Sequence, residues 1–315
     1  CVHPRPRVRS SPMSILIYTF PALIDAVVAL VMFVNAVRLA KMGSSDWVIT
    51  GIWAVWSLPY VCVCLASSRF LKPHNAGRIL LLSCALFALQ CVAFPFTRTA
   101  AEMTILTVFF AVSAGLFFPA FQAFMKTAGT RQSRSLAHST GLYTFAWSTG
   151  FALGPFVAGF IMRSSPIGWK LSYLVGAVLS LAAGAGIWLL RHHGRPAPAA
   201  APQVEEAPAS AAAAAPDLAW LGWVSALVAL SVIAVVRTLF PALAEKEMHL
   251  PENIQGLVFF IISMSQAVTG LLLCRSRTWM YRASGVLAFG LVGVAGALGF
   301  ALSRLMWEGP DAELN

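Results

Sequence analysis

The sequence is short of charge, and that shortage decides its class. Only 11% of its 315 residues are Asp, Glu, Lys or Arg, against roughly a quarter in an ordinary soluble domain. So little charge excludes a soluble enzyme, and a chain that is 58% hydrophobic is not disordered either. Acids are the scarcer of the two charged groups, 12 against 22 Lys and Arg. The six cysteines are Cys1, Cys62, Cys64, Cys84, Cys91 and Cys274, mostly within apolar runs and with no CxxC pair near histidine. They read as small buried hydrophobes, with no disulfide framework implied. The histidines lack metal-ligand spacing, no Ser/His/Asp or Cys/His set stands out, and no glycine loop with a lysine cradles phosphate. No metal, no cofactor and no catalytic centre is expected.

What the sequence has is long apolar runs. Mean hydropathy is +0.76. A membrane helix needs about 20 mostly apolar residues, and nine such runs occur: 14–37, 47–66, 79–97, 103–125, 139–162, 168–190, 218–243, 254–274 and 283–303. They are continuous, whereas the strands of an outer-membrane barrel alternate. The expected fold class is therefore all-α, a polytopic membrane protein. A formal charge of +10 would point to nucleic acid in a soluble chain. Here it reads as loop anchors facing the cytoplasm, with a lipid bilayer as the partner and no nucleic acid. With the N-terminus inside, inner segments hold fourteen of the 22 Lys and Arg and outer segments seven, Arg237 lying within a run. That bias favours a cytoplasmic N-terminus. The Ala-, Arg- and Pro-rich composition points to a bacterial inner membrane.

Organisation follows from composition. Residues 1–13 form a basic, Pro-rich leader that reads as non-native, since Met13 stands directly before the first apolar run. Residues 14–190 form a six-helix bundle. Residues 191–217 form a Pro/Ala-rich cytoplasmic linker with too little bulky surface to pack. Residues 218–303 supply three further helices, and 304–315 form a polar tail. The two helical parts are weakly similar. Gly51 and Gly256 enter their helices 205 residues apart, and Arg69 and Gly77 have counterparts in Arg277 and Gly285, 208 apart. A duplicated six-helix unit would run to about residue 396. The expectation is a chain truncated after its ninth helix, with an incomplete second bundle.

The fifth run carries the most telling pattern, Gly150-Phe-Ala-Leu-Gly154-Pro155-Phe-Val-Ala158-Gly159. Small residues at 150, 154 and 158 share one helical stripe and let another helix come close. Pro155 removes a backbone donor and favours a bend. Read alone, this is a packing seam with a kink. In the fifth span of a six-helix unit it resembles the GxxxGPxxGG motif of the major facilitator superfamily, with Ala158 in place of one glycine. In that family the motif is associated with proton-coupled antiporters, where it seals one side of the cavity. The loop after the second span, CLASSRFLKPHNAGRILL, resembles the family's GxLADRxGR, with Arg69, Gly77 and Arg78 as remnants. The family's gating Asp is replaced by Ser67 or Ser68, and its span-four Arg by Ala111. The resemblance implies two six-helix bundles rocking around a midplane site.

Ionisable groups in mid-bilayer are costly and usually have a role. Asp25 is the one acid deep in a span. Pro21, one turn earlier, is expected to kink that helix, and Tyr18, Asp25 and Met32 lie on a heptad line. Burying a carboxylate among apolar groups disfavours its charge, which suits reversible protonation. Asp25 is thus the candidate for proton coupling or substrate contact, a structural hydrogen bond being the other reading. Arg237 either snorkels to the surface or pairs with an anionic substrate or Asp25. Gln90, Gln122 and Gln266 fit helix–helix hydrogen bonds or ligand contacts. Tyr143 and Trp147, one turn apart on the glycine stripe, line an aromatic cavity or simply pack. The function expected from the resemblance is secondary transport of a small molecule by alternating access, with proton-coupled export favoured. A non-transporting membrane protein, an assembly factor or receptor on the same scaffold, is the alternative.

Overall fold

The computed structural model describes residues 16–72, 74–129, 136–193, 233–234, 236–275, 291, 295 and 296. The leader, most of the linker, the start of the seventh run, most of the ninth, the tail, and Arg277 and Gly285 lie outside the described residues. Seven long helices follow one another: α1 Thr19–Lys41, α2 Asp46–Phe70, α3 Ala76–Ala93, α4 Ala100–Gly129, α5 Leu136–Ser164, α6 Gly168–His193 and, after a shorter α7 over 236–246, α8 Glu252–Arg275. A 3-10 turn, Phe94–Phe96, extends α3. No strand occurs among the described residues. Helices α1 to α6 are each long and apolar enough to cross a membrane. The described helices fall within one compact unit, Cys1–Ala199 with Val235–Cys274; of Ala200–Ala234 and Arg275–Asn315 only a few residues are described.

Burial explains the arrangement. Helix α1 is apolar on every side, and nearly all of it from Phe20 to Ala40 is buried. A helix without a polar face belongs at the centre of a bundle. It packs most extensively on α5 and then on α6; α3 contacts α4 and α6, and α2 contacts α4. Outward-facing Leu58, Leu65, Leu82, Leu89, Phe109, Leu174, Val178 and Leu181 form an apolar exterior suited to lipid.

Three local features position the rest. Pro21 is the third residue of α1. It sits in the first turn, where the missing N–H had no helical partner to lose, so the kink expected there is absent. Between α2 and α3 the Asn75 amide ties the turn, its oxygen accepting from the Lys72 N–H at 2.8 Å and its nitrogen donating to the Phe70 carbonyl at 2.8 Å. Gln90 of α3 accepts from the Ser113 hydroxyl of α4 at 3.1 Å, the helix–helix bond expected of it.

Candidate functional site

The glycine stripe of α5 fixes where α1 lies. A methyl group at Gly150 would collide with the Ala22 carbonyl, and one at Gly154 with the Ala26 carbonyl and the Leu30 nitrogen. Only a bare backbone permits that approach. Ala158 is fully buried. Gly159 and Pro155 face another partner: the Gly159 α-carbon abuts the Glu252 carbonyl, and Gly256 abuts the Pro155 carbonyl. Helix α8 therefore docks on the neighbouring face of α5, beside the stripe that holds α1. Phe156 and Phe260, with ring centroids 4.9 Å apart, complete this contact.

This close approach places a polar group in the interior. Asp25 is fully buried, and neither carboxylate oxygen has a hydrogen bond of good geometry, although the Trp147 indole N–H approaches as a donor. The indole of Trp147, the guanidinium of Arg237 and the phenols of Tyr143 and Tyr60 lie within electrostatic reach. The Tyr143 phenol lies close to Gln122 of α4, and its ring stacks with Phe121, 6.1 Å between centroids. Tyr60 stacks on Trp56 at 4.9 Å. Trp147 and Phe151, one turn apart on α5 with centroids 5.1 Å apart, link the two charges: the first faces Asp25, the second carries Arg237.

Arg237 does not snorkel. It is 8% exposed, its guanidinium stands 4.5 Å above the Phe151 ring and 5.8 Å from that of Phe259, and it donates to the Ser263 hydroxyl at 2.7 Å. Two aromatic faces and one hydroxyl replace the water that a surface position would supply. A cavity of roughly 10 Å³, about one water probe, lies beside it among Ala29, Met32, Phe33, Trp53, Pro155 and Phe259.

Of the sequence-selected residues, Asp25, Gln122, Tyr143, Trp147 and Arg237 come together. Gln266 stands one turn beyond Ser263 on α8, half-buried. Tyr18 lies in the turn before α1, off the helix that carries Asp25. Arg69 and Arg78 are exposed at the α2–α3 end, with Gly77 buried between the helices. Tyr60 was not selected, because nothing local in α2 marks it; only the fold brings it towards Asp25.

The opposite end, where α1 stops and α2 starts, is fastened by charge. Lys41 pairs with Glu252 and lies 3.7 Å from Glu245. Lys246 donates to Asp46 at 2.7 Å and to the Ser44 carbonyl at 2.6 Å. Burial alone would raise the Glu252 carboxyl, but the Lys41 ammonium, with Arg163 nearby, holds it below the usual carboxylate value. Beside this fastening opens a cavity of about 900 Å³, whose lining does not include Asp25.

No metal-ligand cluster occurs among the described residues. No curated protein matches the chain. The family model of the Major Facilitator Superfamily matches residues 54–308, most of the sequence and both helical parts. With its long apolar helices and the motif of α5, this integral membrane chain belongs to the major facilitator superfamily, a family of transporters.

Proposed function

We propose that the protein is a proton-coupled secondary transporter that exports a small amphipathic molecule from the cytoplasm of a bacterium. The observation that carries this reading is Asp25, fully buried and without a well-formed hydrogen bond on either oxygen, the Trp147 indole alone approaching as a donor among the described residues. A charge held in that state costs several kcal/mol or more, so the group gains by taking a proton or a partner. Trp147, Tyr143 and Tyr60 give its surroundings aromatic faces suited to an amphipathic molecule, and Gln122 and Ser263 add polar contacts. Arg237 of α7, held over Phe151 one turn further along α5, offers a cation to a carboxylate or to Asp25 itself. Tyr18 and Gln266 would extend the path at either side of this centre.

In the proposed cycle the Lys41 end is extracellular and closed, held by the α5–α8 contact and the two ion pairs. When that end opens, substrate leaves and Asp25 takes a proton from outside. When the Arg69–Arg78 end opens, the proton passes to the cytoplasm and the next substrate binds. The six-helix bundle and the later helices move as the two rocking bodies. The N-terminus and the 191–217 linker lie on the cytoplasmic side.

Reconstituting the complete protein in proteoliposomes and replacing Asp25→Asn tests the reading. Flux driven by a pH gradient is expected to vanish, with substrate binding retained. Undiminished coupling in that variant would overturn the role of Asp25. A second reading, a receptor or assembly factor on this scaffold, is favoured by Arg69 and Arg78, which are exposed and meet no carboxylate among the described residues. Specific binding by the native protein without any flux would establish it.

A further inference from the structure

The cavity of about 900 Å³ lies at the Lys41 end, between α1, the 94–98 segment, the end of α5 and the start of α6. Its walls carry five cations, Arg38, Lys41, Arg98, Arg163 and Lys170, and one acid, Glu252. Glu252 is engaged by Lys41. Among the described residues no carboxylate lies within ion-pair distance of the other four; Glu102 caps the Arg98 and Thr99 backbone amides instead, at 2.6 and 3.3 Å.

Arg38 forms the floor. It is 9% exposed, yet all its bonds go to neutral acceptors: the Phe94 carbonyl at 3.2 Å, the Thr97 hydroxyl at 3.2 Å and carbonyl at 2.8 Å, and the Tyr173 phenol at 3.2 Å. Its guanidinium also stands 4.2 Å over the Trp169 ring. These contacts hold the cation in one place without cancelling its charge. The dipole of α1 accounts for cations in its last turn, and that of α5 for Arg163. It does not account for Lys170, in the first turn of α6, where a cation opposes the dipole and no acid is present. Ser164 and Ser165 add hydroxyls to the same wall.

We infer that this cup is an anion site separate from Asp25, and that it holds a phosphate group. A fixed buried cation, three exposed ones, of which Lys170 stands 5.2 Å over the Trp169 ring, and hydroxyls match a phosphate's charge and its acceptor oxygens. The group comes either from an anionic lipid headgroup or from free phosphate. Phe96, 77% exposed, and Ile167, 53% exposed, stand beside the cup as apolar neighbours for acyl chains.

The test compares the complete protein with the triple variant Arg98→Gln, Arg163→Gln, Lys170→Gln and with Lys72→Gln, an exposed cation at the opposite end. Inorganic phosphate is titrated calorimetrically in a neutral detergent. Phosphatidylglycerol and phosphatidylcholine retention is read by native mass spectrometry. The expected result is binding of one probe by the native protein and by Lys72→Gln, weakened about tenfold or more in the triple variant. Binding of phosphate itself identifies a free anion; retention of phosphatidylglycerol alone identifies the headgroup. Absence of both, or a triple variant that binds as the native protein does, overturns the site. If the triple variant fails to fold, Lys170→Gln alone is judged by the same comparison, with a reproducible weakening expected and unchanged affinity counting against the site.

Discussion

Two buried arginines, Arg38 and Arg237, stand in nearly equal burial and in opposite settings. Arg38 is held by four hydrogen bonds to three residues in two segments, and the Tyr173 phenol that accepts from it donates onward to the Asn35 side chain. Asn35 in turn reaches Thr107. Arg237 has one described hydroxyl partner and two aromatic faces. The first is a strut, since moving it breaks a network that crosses α1, α3, α4 and α6. The second can change partners at small cost. A transporter needs both kinds of charge, one to keep a bundle rigid and one to respond.

The sharpest way to break the contrast is Arg38→Met. It leaves the Thr97 carbonyl without its donor and takes one bond each from the Phe94 carbonyl and the Tyr173 phenol, which keep Thr97 and Asn35 as partners, and should destabilise the protein by about 3 kcal/mol, read as unfolding temperature in detergent. A loss below about 1 kcal/mol would show that the network is not structural. Arg237→Met should cost far less stability, about 1 kcal/mol or less, because the replacement still packs on Phe151 and Phe259. Its transport rate is nonetheless expected to collapse; a variant as unstable as Arg38→Met would erase the distinction. The smallest effect belongs to Glu252→Gln at the ion-paired end. Lys41 is 44% exposed, so the pair contributes a few tenths of a kcal/mol to about 1. The carboxyl of Glu252 is lowered in the folded protein. Its contribution is therefore full above the unfolded value of about 4.3 and is lost as pH falls through the lower folded value. The native protein should lose this increment only in that acid window, and Glu252→Gln should show no such step.

Much of this was legible in the sequence because membrane helices are declared by length and apolarity. The runs at 47–66 and 79–97 fall within a few residues of α2 and of α3 with its 3-10 extension. The stripe from Gly150 to Gly159 was legible because only small residues permit backbone contact. Asp25 was legible because an acid in an apolar run has few bland explanations. Arg38 was not. Its apolar run stops at Val37, so it reads as a loop anchor, yet α1 continues to Lys41 and turns it inward. The acceptors that make this tolerable lie 56 to 135 residues away, and no local pattern announces them. For Arg237 the sequence left a surface and an interior position both open for the same reason: the rings that shelter it belong to α5 and α8. Pro21 was over-read, since its effect depends on how many helical turns precede it.

The α5 stripe works differently along its length. Towards α1, at Gly150 and Gly154, it is a weld: two backbones in contact with no side chains between them to yield. Towards α8, at Pro155 and Gly159, the adjoining face meets the Gly256 backbone, and in the proposed cycle it acts as a bearing that separates and re-seats without repacking rotamers. In the proposed cycle a bulky residue at the weld would prevent assembly, while one at the bearing would leave a folded protein that idles with its Lys41 end ajar. One short run of glycines thus sets both what must never move in this molecule and where it is free to slide.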